Sequence, residues 1–532
     1  MAKRHQKIGT KTNRIAQLRT PPKIIPGLGV DLPELQRARA LWGLNRFDEA
    51  LELFDQAVRR YPQNLVALVD AARAFGARFE IQRAEEVLDR LIKTSSNRPD
   101  LLHLAGQSYR MIFRPDKAIE CFQRVVAATH EIPDAYLELA IQYERRHRLD
   151  EAFGLMDLCL KTAPDYLEAE LFKARLLRRL KDESAAEEKF RALATNPQSS
   201  PELKAQAWAE IAQMHDRREE YPLAMAAMLK TKAILQERQG QLYQHSEKVM
   251  AHLRALVDSL TPAHFQRWRV ASQNFPPQNL AVLTGFPRSG TTLLEQVLDS
   301  HSGLVSSDER EAFARDIFPA IWLTPATPVP TPEAFDNVPP ERLLALRARY
   351  LKSMEAALNE PIGGRVHLDK NPTLTVVLPG LLRLFPETRV VLALRDPRDV
   401  VISCFMQYLP LNSNSIYFLT LERAAQRYTN DIGFWLKLRD RIASPWLEVR
   451  YEDTVARLEA EVRRTLEFLG LPWEPGVLDY RDRLKQKAVA SPTYEAVSKP
   501  LYTRAIGRWR HYQEFLEPYL GVLEPALKAF GY

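Results

Sequence analysis

An all-α solenoid of helical repeats followed by an α/β domain with a parallel sheet is the fold class this sequence predicts. Three observations predict it. Alanines recur every 34 residues through the first half. After about residue 262 short apolar strands alternate with helices, and a glycine-containing loop joins one such strand to its helix. The expected organisation is a basic tail over 1–30, a helical array over 35–240, a helical linker over 241–261 and a second domain over 262–532.

The chain has 532 residues, 45% hydrophobic and 27% charged, ordinary for a globular protein with two cores. No apolar run reaches the roughly 18–20 residues that a membrane span needs. Three scattered cysteines, Cys121, Cys159 and Cys404, form neither a disulfide framework nor a metal cluster, so a reducing, cytoplasmic setting is expected. The net charge of +7 is all tail: Lys3, Arg4, Lys7, Lys11, Arg14, Arg19 and Lys23 face no acidic residue within 1–30. Without them, 67 basic residues balance 67 acidic ones. The tail lacks the apolar core of an export signal and reads as a solvated, disordered terminus. Such a tail could also touch nucleic acid or anionic lipid, but no specific nucleic-acid partner is expected.

The repeats come first in the chain. Ala50, Ala84, Ala118, Ala152 and Ala186 each open a similar stretch, from "ALELFDQAV" to "AEEKFRALA". Apolar residues recur at helical offsets within each stretch, and Pro62, Pro99, Pro133 and Pro164 are expected to stop each second helix. Small alanines suit close helix approach, and units that cannot bury their apolar faces alone must stack. The pattern over roughly 35–235 resembles the tetratricopeptide repeat, with a looser sixth unit, "PLAMAAMLKTKAIL", at a 38-residue step. Such a surface is expected to hold a peptide or protein acceptor, pair subunits as a homo-oligomer, or brace its neighbour.

Next come the strands. "NLAVLTGF" (279–286), "RVVLALRD" (389–396) and "PWLEVRYED" (445–453) are each followed by a helical stretch. That alternation implies a parallel sheet covered on both faces, with ligands at the carboxyl ends of its strands. The loop after the first strand, "GFPRSGTT", has the glycine spacing of a nucleotide-triphosphate loop but lacks its lysine. Backbone N–H groups at a helix start surround an anion, Gly290 permits close approach, and Ser289, Thr291 and Thr292 add hydroxyls. Arg288 offers a fixed charge.

"PRSGTTL" resembles the 5′-phosphosulfate loop of the sulfotransferases, and "LRDPRDVVIS" their 3′-phosphate motif, with Arg395 eight residues before Ser403. The sequence resembles in particular the tyrosylprotein sulfotransferases and the bacterial tetratricopeptide-repeat sulfotransferases. The resemblance implies 3′-phosphoadenylyl sulfate as co-substrate, no metal and a hydroxyl-bearing acceptor. It implies Glu309 as catalytic base, with Lys370 and Thr493 stabilising the transition state. It also implies cofactor contacts from Arg288, Ser289, Gly290, Thr291, Thr292, Arg395, Ser403, Tyr451, Lys499 and Arg508. Thr493 replaces a serine, and Gln407 stands where that family has a further arginine. The membrane anchor and paired cysteines of the tyrosylprotein enzymes are absent. Two other readings stay open: a P-loop kinase or nucleotide-binding protein, and a non-catalytic repeat scaffold with a degenerate transferase domain. His301 and His367 are alternative bases.

Overall fold

The computed structural model describes residues 30–324, 327–481 and 504–532. The basic residues of the tail, Thr493 and Lys499 lie outside these. The chain divides into two units, one formed by residues up to Tyr243 with Met406–Leu419, the other by Gln244–Phe405 with Thr420–Tyr532.

The first unit is built of helix pairs. Its second helices begin at Phe47, Ile81, Pro115, Leu149 and Glu183, each four-residue opening ending on one of the periodic alanines. All five alanines are fully buried. The two helices of a pair are joined by a residue in the left-handed region. Asn45, Phe79, Phe113, His147 and Lys181 have φ of 60, 59, 62, 60 and 71°, again at the 34-residue step. Non-glycine residues rarely adopt this conformation. Here the following N–H closes the helix end, as Glu80 to the Phe75 carbonyl (2.9 Å) and Arg114 to that of Tyr109 (2.9 Å). Glu219, φ 63°, does the same job in the sixth pair, Pro201–Arg217 and Tyr221–Glu237. Two expected helix stops act otherwise. Pro99 and Pro133 open the first helix of their repeats, where the missing N–H would have no helical partner.

Charged pairs tie successive first helices together: Arg39–Asp70 at 2.5 Å, Arg110–Glu138 at 3.1 Å and Arg175–Glu210 at 2.6 Å. Met406–Leu419, expected within the second domain, belongs to this unit for a physical reason. Lys232 Nζ donates to the Gln407 carbonyl (2.8 Å), Gln236 to that of Leu419 (3.0 Å), and the Tyr243 and Tyr417 rings meet edge to face.

The second unit begins at Gln244, within the helix Leu242–Ser259, and Arg441 donates to the Val257 and Leu260 carbonyls at its end, both 2.8 Å. Its sheet has five strands: β1 (Leu280–Gly285), β2 (Leu304–Asp308), β3 (Val366–Lys370), β4 (Arg389–Leu394) and β5 (Trp446–Arg450). They lie in the order β2-β3-β1-β4-β5 with every neighbouring pair parallel. The helix α1 (Thr291–Leu298) covers one face through Leu293, Leu294 and Val297, which pack with Leu283, Leu368 and Val391. The helix α2 (Pro340–Leu358) reaches the other face through Tyr350. The helix α3 (Pro397–Phe405) follows β4. Among the described residues no helix is long and apolar enough to cross a membrane.

Candidate active site

Chain order reverses around β1, with β3 on one side and β4 on the other, so the crevice above its carboxyl end is where a ligand is expected. Residues singled out in the sequence meet there in two groups.

The first group surrounds the loop between β1 and α1. Arg288 (φ 73°) and Gly290 (φ 91°) give the loop its reversal, and the Ser289 N–H closes it on the Phe286 carbonyl at 3.1 Å. Gly290 is the N-cap of α1 and no side chain caps the helix. A Cβ on Gly290 would stand 2.5 Å from Cδ2 of Tyr451, so the tyrosine ring needs a glycine there. The first N–H groups of α1 therefore end in a tight, uncapped turn, the arrangement that attracts an anion. Ser289, Thr291 and Thr292 are buried around it.

Arg288 Nε donates to Ser403 Oγ at 3.0 Å, and Arg395 Nη1 donates to the Arg288 carbonyl at 3.0 Å. The Arg395 guanidinium lies 5.0 Å from the Tyr451 ring centre. Its Nη2 donates to the Ala505 carbonyl, while its Nε is buried and has no hydrogen-bond partner among the described residues. Two arginines, a hydroxyl and a helix start thus form one cradle, with a buried donor still to satisfy. That suits a phosphate-bearing ligand. The sequence reading divided these residues between two phosphates; the structure has Arg288 and Ser403 in hydrogen-bond contact.

The second group lies at the ends of β2 and β3. Asp308 and Lys370 are register partners on the paired strands. Lys370 is fully buried, and its Nζ stands 2.5 Å from Asp308, 3.0 Å from Glu309 and 3.3 Å from Glu295 of α1. Burial works against its charge, but Glu295, Asp308 and Glu309 outweigh it and hold the ammonium well above its ordinary range. Glu309 (φ 49°) turns sharply off the end of β2, with its N–H on the Lys370 carbonyl at 2.8 Å. Its side chain keeps 32% exposure, whereas Glu295 keeps none. Glu309 is thus a carboxylate open to a substrate with an ammonium alongside. Glu295 and Asp308 were not singled out in the sequence. Ser306 Oγ donates to Glu295 at 2.7 Å and holds it in place.

The two histidines have other work. His301 Nε2 meets the Pro472 carbonyl at 2.8 Å while Nδ1 accepts the Gly303 N–H at 2.9 Å. His367 is buried on the opposite face of β3 from Lys370, its Nε2 3.0 Å from Ser307 Oγ, and burial lowers its pKa to about 4. Arg508 opens the turn Arg508–Tyr512, half-buried, with its guanidinium 5.7 Å from the Tyr512 ring centre.

Residues 281–475 match the model of the sulfotransferase family, and residues 41–108 match a tetratricopeptide repeat model. The chain contains a sulfotransferase-family domain. The chain is 23% identical to a putative protein-tyrosine sulfotransferase of Caenorhabditis briggsae, over 48% of this chain and 89% of that protein. It is 24% identical to protein-tyrosine sulfotransferase 1 of Danio rerio, over 48% of this chain and 72% of that one. A longer match, 26% identical over 66% of this chain, is to an uncharacterized protein of Aquifex aeolicus, of which it spans 46%. Among solved structures, the sulfotransferase domain of the Synechococcus PCC 7002 olefin synthase is 21% identical. It covers 48% of this chain and 95% of that domain with a TM-score of 0.33.

Proposed function

We propose that this protein transfers a sulfuryl group from 3′-phosphoadenylyl sulfate to a hydroxyl acceptor, with Glu309 as general base. The observation that carries the reading is the pairing, at the strand ends of a sulfotransferase-family domain, of an anion cradle with a part-exposed carboxylate held against a buried lysine. The donor supplies an activated sulfuryl group, so the chain's own residues have to position, balance charge and accept a proton. The N–H groups at the start of α1 and Arg288 hold the 5′ end. Arg395 and Ser403 serve the 3′-phosphate, with Lys499 and Arg508 contributing from the late segment, and Tyr451 lies against the nucleotide. Glu309 takes the acceptor proton as the acceptor oxygen bonds to sulfur and the bond from sulfur to the bridging oxygen breaks. Lys370 and Thr493 offset charge gathering on that oxygen. The products are a sulfate ester and 3′-phosphoadenosine 5′-phosphate. No metal enters this scheme. The repeat array suits a peptide or protein acceptor.

The test is transfer of labelled sulfate from 3′-phosphoadenylyl sulfate to tyrosine peptides, sugars and phenols by the full chain. Label in an acceptor is the expected result. Transfer of phosphate from magnesium ATP would instead support a kinase. Binding of 3′-phosphoadenosine 5′-phosphate without transfer to any hydroxyl would support the scaffold reading.

A further inference from the structure

Asp399 lies on α3 between Arg395 and Ser403 and is 1% exposed. Its two oxygens are both engaged by backbone. Oδ2 accepts the N–H of Gly507 at 2.7 Å and Oδ1 the N–H of Trp509 at 2.8 Å, so one carboxylate grips the backbone on both sides of Arg508. Gly507, φ 71°, suits this sharp approach. Two neighbours reinforce the grip. Arg395 Nη2 donates to the Ala505 carbonyl, and the Arg398 guanidinium stands 4.2 Å from the Trp509 ring centre. Three residues around the start of α3 thus fasten residues 505, 507 and 509 to the helix that carries Ser403.

Charge makes the grip firm. Both Asp399 oxygens are engaged by backbone N–H groups, and hydrogen bonds to an ionised acceptor are shorter and stronger than neutral ones. Arg395 Nη2, 3.9 Å away, offsets part of the cost of burying that carboxylate.

We propose that Asp399 is a positioning residue for the donor site: by clamping Gly507 and Trp509 it fixes where Arg508 presents its guanidinium to an anionic group of the nucleotide. This rests on the donor proposed above, and it concerns binding, not the chemical step. Asp399→Asn keeps the side-chain shape but turns one acceptor into a donor that faces an N–H, so half of the clamp fails.

The experiment is calorimetric titration of 3′-phosphoadenosine 5′-phosphate into the full chain and into Asp399→Asn, Arg508→Ala and the double variant. A clamp that acts through Arg508 predicts roughly tenfold weaker binding for Asp399→Asn and no further loss in the double variant beyond Arg508→Ala alone. Arg398→Ala, which releases Trp509 without touching the buried carboxylate, is expected to weaken binding in the same direction by a smaller factor. That loss too should vanish in the Arg508→Ala background, and it keeps the test valid if Asp399→Asn folds poorly. Losses that add in full, or wild-type affinity in both Asp399→Asn and Arg398→Ala, would overturn the clamp while leaving the donor in place. Failure of the native chain to bind this nucleotide would overturn the donor reading and the clamp with it.

Discussion

Strand β3 carries opposite chemistry on its two faces. Lys370 points toward α1 and His367 and Asp369 toward α2, all at 0–1% exposure. On the first face three carboxylates overcome the cost of burial and the lysine is held charged. On the second, Asp369 has a Tyr350 hydroxyl at 2.7 Å and His367 has Ser307. No counter-charge there matches burial, which raises Asp369 to about 7 and lowers His367 to about 4. Depth alone therefore does not decide ionisation; the carboxylates at the ends of α1 and β2 do. The charged face is the one that opens onto the crevice.

The sharpest way to break this contrast is to remove the lysine. Under the proposed scheme Lys370→Met should lower kcat by about 10²–10³-fold, since that scheme sets its ammonium against charge on the bridging oxygen. It should also destabilise the chain by about 3–5 kcal/mol, because Glu295 and Asp308 remain buried without their partner. Adding Glu295→Gln should recover much of the denaturation midpoint and none of the rate. Recovery of both would make Lys370 a structural residue only.

The neutral face gives a test in pH. His367 binds no proton in the fold between about 4 and its unfolded value near 6.5, so its contribution to stability is complete above 6.5 and is lost as pH falls toward 4. Asp369 does the reverse: it keeps a proton in the fold up to about 7, so its contribution is present below its unfolded value near 3.9 and is lost as pH rises toward 7. In the native chain the two slopes oppose each other. Asp369→Asn should leave stability rising by on the order of 3 kcal/mol from pH 4 to 6.5. His367→Gln should leave it falling by a similar amount over pH 4 to 7, read from urea midpoints at each pH. Two variants with the same sign of slope would contradict the contrast. A smaller effect is expected from Ser307→Ala, about 1 kcal/mol of stability with kcat unchanged.

These regions also mark what could be read from the sequence. The repeats were legible because one stacking geometry imposes one 34-residue period, on alanines, turns and helix starts alike. β1 and β4 were legible as apolar runs, and the residues of the cradle as two motifs beside them. β2 and β3, "LVSSD" and "VHLDK", were not singled out because buried strands normally lack such polar residues; here each polar side chain makes at least one hydrogen bond to another segment. Glu309 and Lys370 were found only through family likeness. Asp308 stayed hidden because its role comes from the register of β2 on β3, and Glu295 because it meets Lys370 from α1, pairings that no local pattern encodes. Arg288 reaching Ser403, and Asp399 reaching the chain around Arg508, are long-range contacts of the same kind.

The account stands on Glu309 as the acceptor of the proton beside a permanently charged Lys370. The most direct measurement is the rate of sulfate transfer by Glu309→Gln, alongside calorimetric binding of 3′-phosphoadenosine 5′-phosphate. The account predicts a rate at least about 10²-fold lower with nucleotide affinity and folding stability unchanged, because Glu309 is part-exposed and lies outside the cradle. Full activity in Glu309→Gln would contradict it.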